Sequence, residues 1–177
     1  MRALGPGSVS SFLKVILDVF YYVLLAVGVA LGVAAIGVIL ISVRPDLLGS
    51  HIDIDKIHIS GPMAAPAAFA TVAALGLYVA GALVIVGRLR RIFRTLIAGD
   101  PFHPDNVRRL RVIGLTLAVL EIGRYGANGL SFLFLGGQTP LGGGVNLTTW
   151  FAVLVIFVLA EVFREGARLR REAQLTI

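Results

Sequence analysis

The run VFYYVLLAVGVALGVAAIGVILISV, residues 19–43, decides the fold, because it contains no charged side chain. A hydrocarbon core about 30 Å thick is crossed by roughly 20 apolar residues in a helix, each adding ~1.5 Å of rise. This run exceeds that length, and it is preceded by further apolar residues from Phe12, with Lys14 and Asp18 among them. The excess is taken up by tilt, or by first turns that lie in the interface. Arg44-Pro45-Asp46 ends the segment, since proline within a helix removes a backbone donor and clashes with the preceding turn.

Three further segments of the same kind follow. The second runs over 66–87, with Pro66 suited to a first helical turn. It continues past the membrane as RLRRIFRTLIA, with Gly99 as its C-cap. Residues 100–106, DPFHPDN, form a turn and a new helix start. Pro104 fits the first helical position there, and Asp105 and Asn106 favour the positive end of the helix dipole. The third span covers 112–135, interrupted by Glu121 and Arg124, and GGQTPLGGGVNL follows as a glycine-rich loop. The fourth covers 148–163 and carries on as the polar tail REGARLRREAQ. Between the first two spans, HIDIDKIHIS at 51–60 alternates polar residues with isoleucine and slips register once, the pattern of a short β-like segment with a bulge. The expected architecture is an all-α membrane protein with four transmembrane helices in a single domain, 1–177. Their approximate ranges are 12–43, 66–87, 112–135 and 148–163, with a cytoplasmic loop 88–111 and a cytoplasmic tail 164–177.

Composition agrees with lipid as the solvent. Of 177 residues, 57% are hydrophobic and 15% charged, and the mean hydropathy is +0.90, far from the soluble range. The formal charge of +6 would suit nucleic acid, but 11 of the 16 basic residues lie in 88–111 and 164–171, against apolar runs. That is the placement membrane topology requires, so no direct nucleic-acid contact is expected. Adding Arg2 and Lys14 puts 13 of the 16 on one side, against Arg44 and Lys56 on the other. The positive-inside rule then places both termini and 88–111 in the cytoplasm. Trp150 falls at the outer end of the fourth span, where interfacial aromatics belong. The apolar run near the N-terminus is too long for the core of a cleaved signal peptide. With no cysteine, disulfides, thiolate metal sites and cysteine nucleophiles are excluded.

Few residues carry chemistry. Glu121 and Arg124, three apart, share a helix face and can pair, and a charge within the membrane needs a partner. Two readings stand: an internal ion pair that fixes helix packing, favoured here, and a proton or ion relay with Asp18 and Glu161 as further titratable groups. Gly123, Gly126 and Gly129 beside the pair, and Gly28 and Gly32 on the first helix, have spacings that let helices approach closely, within a chain or in a homo-oligomer. His51, Asp53, Asp55 and His58 have ligand chemistry, but along a strand the first and third ligand are ~13 Å apart at ~3.3 Å per residue. A solvated face is the better reading, and no metal or cofactor is expected. Gly129-Leu130-Ser131-Phe132 lacks a base to activate its serine, and the glycines at 136–144 lack the lysine of a phosphate loop.

Two segments, AGDPFHPDNVRRLRVIG at 98–114 and LAEVFREGARLRREAQLTI at 159–177, resemble the bacterial membrane family DUF2975. The resemblance implies a small multi-pass protein of the bacterial cytoplasmic membrane with no established activity, and it brings no catalytic residues. This chain has His103 where the family pattern has threonine, which replaces the hydroxyl N-cap of the following helix. Members are often encoded beside a small helix-turn-helix regulator, which implies by association a membrane protein that holds or releases a transcription factor. The expected function is therefore a non-enzymatic regulatory or interaction protein. Its expected contacts with partner or lipid are Arg88, Arg91, Arg94, Asp100, Phe102, Asn106, Arg108, Arg109, Arg111, Arg164, Arg168 and Arg171. The alternatives are a small ion- or proton-coupled transporter using Glu121 and Arg124, and an accessory subunit of a larger membrane complex.

Overall fold

A computed structural model of the chain describes residues 9–43, 64–134 and 144–175, which form four α-helices. They are α1 (Val9–Val43), α2 (Ala64–Ile97), α3 (Pro104–Phe134) and α4 (Leu147–Leu175). Among the described residues there is no strand. The β-like segment expected at 51–60 lies outside them, as do His51, Asp53, Asp55 and His58.

Three helices are long and apolar enough to cross a membrane: α1 over Phe12–Leu40, α2 over Phe69–Ile97 and α4 over Leu147–Leu175. The third expected span is not in this set. Within α3, Glu121 and Arg124 sit close to Asn128 and the glycines 123, 126 and 129, and together they lower its apolar character. By length and composition, the described helices thus give three of the four expected spans.

The chain divides into two compact units, one of residues 1–22 with 81–177 and the other of 23–80. The smaller holds the helical residues 23–43 and 64–80, where Val29, Val33, Ile36, Leu75 and Leu77 are exposed. An outward apolar surface of this kind suits lipid rather than water.

In the larger unit every helix runs antiparallel to the next. Asp18 of α1 pairs with Arg90 of α2, and Tyr21 lies over Gly87. Thr95 of α2 bonds Asn106 of α3, while Gly81 at the far end meets Leu120. Arg111 of α3 faces Glu161 of α4 at 3.9 Å, and Arg124 reaches the Gly144 carbonyl just before α4. The core between these helices is built from Ile92, Leu110, Ile113 and Ala160, with Leu89, Leu96, Leu117, Ile156 and Phe163 against it. Small residues permit the approach. A Cβ on Gly81 would lie 2.5 Å from a Leu120 methyl, and one on Gly114 would lie 3.1 Å from the Phe157 ring.

The turn between α2 and α3 closes as its residues require. Gly99 has φ of 82°, the left-handed conformation that glycine adopts without penalty. The amides of Gly99 and Asp100 donate back to the carbonyls of Leu96 and Thr95, both at 3.0 Å, a Schellman termination of α2. At the start of α3 the His103 ring nitrogen Nδ1 accepts from the Asp105 amide at 3.2 Å, so the imidazole caps the helix in place of a hydroxyl. The last helix is continuous to Leu175, and its polar end is helical throughout.

Candidate functional site

The sequence segments 98–114 and 159–177 are packed on one another. The Phe102 ring lies 5.7 Å from that of Phe163, and a Cβ on Gly166 would sit 2.6 Å from the Phe102 ring. Asp100 pairs with Arg170, and Arg111 with Glu161. Asp100 and Phe102 thus hold the end of α4 against the turn. Asn106 holds the turn itself. It is fully buried, and its amide donates to the Thr95 hydroxyl at 2.8 Å and the Pro101 carbonyl at 3.0 Å. Arg109 donates from Nη1 to the Asn106 side-chain oxygen at 2.8 Å and to the Arg91 carbonyl at 3.2 Å. A buried amide with its groups satisfied fixes the geometry of the turn and leaves nothing to present to a partner. Arg90 was not among the expected contacts. It is held by Asp18, with its guanidinium 4.5 Å from the Tyr21 ring centre and 5.6 Å from that of Tyr22.

The arginines of this end fall into two groups. Arg109 pairs with Asp105, Arg164 with Glu161, and Arg168 with both Glu165 at 3.0 Å and Glu172 at 3.3 Å. Among the described residues Arg88, Arg91, Arg94, Arg108 and Arg171 form no ion pair. All but Arg88 are exposed. Isolated guanidinium groups of this kind are free to take an external anion.

The chain belongs to the DUF2975 family. Its model, described as a protein of unknown function, matches residues 19–177, nearly the whole chain. No curated protein and no solved structure matches. As a member of DUF2975 the chain inherits no assigned activity, and its residues must be read from their own geometry.

The pair on α3 is formed. Arg124 donates from Nη2 to Glu121 Oε1 at 2.6 Å and from Nε to Oε2 at 3.3 Å, a two-pronged contact. Glu121 is only 5% exposed. The same Nη2 donates to the Gly144 carbonyl at 3.0 Å, and the Arg124 guanidinium lies 5.0 Å from the Tyr125 ring centre. The Tyr125 hydroxyl accepts from the Asn146 amide at 3.2 Å and from the Trp150 indole nitrogen at 3.1 Å. Tyr125 and the start of α4 thus supply part of the surroundings of the pair. Close helix approach occurs at Gly81, Gly114 and Gly166. A Cβ on Gly32 or Gly126 would meet nothing within 4 Å, Gly123 is exposed, and Gly28 is half-buried.

Proposed function

We propose that this DUF2975 protein is a non-enzymatic membrane protein whose cytoplasmic end docks a soluble partner of acidic surface, such as a helix-turn-helix regulator. The orientation is the one basic residues favour, with both termini and the α2–α3 turn inside. Support for α3 as a fourth span comes from its antiparallel contacts with α2 and α4, which carry it through the same depth. Once inside, its charges at Glu121 and Arg124 satisfy one another.

The observation that carries the reading is the projecting end of α4. Asp100 and Phe102 anchor it as far as Arg170, and residues 168–175 are exposed. Arg171 lies about 15 Å of helical rise beyond Glu161, and Leu175 about 21 Å. An interfacial layer of roughly 5–8 Å is therefore cleared by this segment, which stands in water. It offers Arg171, which forms no ion pair among the described residues, and the apolar side chains of Leu169 and Leu175. Basic and apolar groups together on a held helix suit a protein face better than a small substrate.

The test uses the full-length protein in nanodiscs of uncharged lipid, mixed with any helix-turn-helix regulator whose gene adjoins its own in the native host. The wild type is expected to bind the regulator, and R171Q with L169E to lose at least tenfold in affinity while inserting normally. Equal binding by wild type and variant would reject the docking role of this segment. The transporter alternative is less well supported, because Glu121 and Arg124 are engaged with each other and with the Gly144 carbonyl.

A further inference from the structure

We infer that the cytoplasmic flank of α2 is a binding site for an anionic phospholipid, with Arg91 and Arg94 gripping the headgroup and Val84 supporting an acyl chain. Residues 64–87 carry no charge and amount to about 36 Å of helix, enough to cross the hydrocarbon core. Arg88 therefore marks the core boundary. Arg94 lies about 9 Å of rise beyond it, within or at the edge of the headgroup layer.

Spacing places the groups on one stripe. Val84 and Arg91 are seven residues, two helical turns, apart, and Arg94 continues the row. Val84 is 42% exposed, and Arg91 and Arg94 are exposed as well. An apolar stripe that runs into unpaired guanidinium groups at headgroup depth has the shape and chemistry of a phospholipid. Arg90, the residue before Arg91, is already paired with Asp18. Among the described residues Arg91 and Arg94 form no ion pair and no contact with an aromatic ring. A phosphodiester complements such a pair through short charge-assisted hydrogen bonds. In phosphatidylcholine that phosphate is balanced by the lipid's own cation. In phosphatidylglycerol it is not, so the site selects the anionic lipid. A soluble acidic protein would have to enter the headgroup layer to reach the same arginines. For this reason lipid, and not the partner proposed for the α4 end, is assigned here.

The inference rests on α2 as a membrane span and is independent of the soluble partner. Full-length protein is reconstituted in vesicles of phosphatidylcholine with one-fifth phosphatidylglycerol, re-extracted gently, and its co-purifying lipids are weighed by native mass spectrometry. Wild type is expected to be enriched in phosphatidylglycerol. R91Q/R94Q is expected to lose that enrichment roughly twentyfold, each arginine near an anionic surface being worth about fivefold. R168Q/R171Q, altered only beyond the headgroup layer, is expected to keep it. R91K/R94K preserves the topological charge and is expected to insert and keep most of the enrichment, which guards against a glutamine variant that fails to insert. Equal enrichment in wild type and an inserted R91Q/R94Q variant would overturn the site. So would displacement of the lipid by inorganic phosphate at matched ionic strength, since that would show a soluble-anion site. Failure of wild type to enter the vesicles would instead strike the membrane reading of α2.

Discussion

Asn106 is engaged by three pieces of chain at once: Thr95 at the end of α2, Pro101 in the turn and Arg109 on α3. Replacing it with alanine leaves the Pro101 carbonyl and the Arg109 guanidinium short of a partner in a buried place. Each such loss costs about 1–3 kcal/mol. N106A is therefore expected to lower thermal stability clearly in detergent, and N106D as well, because a carboxylate cannot donate to the Pro101 carbonyl. Unchanged melting of both variants would deny the turn its anchor. At the other end of α3, E121Q and R124Q are each expected to destabilise by leaving one charge alone, and the double variant to recover much of the loss. Additive losses in that cycle would show that the two residues do not act as a pair. Sequence spacing made the Glu121–Arg124 contact readable, because three residues on a helix set two side chains side by side. The burial of Asn106 was not readable in that way. It depends on how α2 returns against α3, which no local pattern states. His103 was readable halfway: its position before Pro104 marks a cap, but only coordinates show the ring accepting from Asp105.

Among the elements, the glycines separate by what faces them. The Cβ of a Gly166→Ala variant would strike the Phe102 ring, a flat rigid group held by Phe163. Overpacking of this sort costs about 1–3 kcal/mol. G166A is expected to loosen the end of α4, measured as faster proteolysis after Arg170, and F102A is expected to remove most of the penalty in the double variant. G81A meets the tip of Leu120, which can swing aside, and should cost less. If G81A proved the more damaging of the two, this ranking of the contacts would fail. The three most apolar helices could be taken from hydropathy because lipid demands an unbroken apolar run. The apolar pattern of α3 is diluted by Glu121, Arg124 and glycines, and its place is recoverable only from Leu120 on Gly81 and Arg124 on Gly144. Among the described residues, the spacing at Gly32 and Gly126 gave no guide to where helices touch, since a Cβ at either would meet nothing within 4 Å. Spacing says that an approach is sterically open, while the approach itself needs a ring or methyl on the other side.

For the whole molecule, the absence of cysteine makes orientation directly measurable. Single cysteines at Ser50 and Gly143 are expected to react with an impermeant thiol reagent in intact cells. Those at Ala98 and Gln174 are expected to react only after lysis, and outside labelling of Ala98 would reverse the assigned topology. Such an orientation gives special weight to the unbroken course of α4. Its 29 residues make a rod of about 44 Å, touched near one end by Tyr125 through Asn146 and Trp150 and free at the other beyond Arg170. A rod without a hinge has little torsional slack. In the proposed orientation, a twist imposed on the indole of Trp150 would be delivered as an angular swing of Arg171 and Leu175, one shaft then joining the outer surface of the cell to the cytosol.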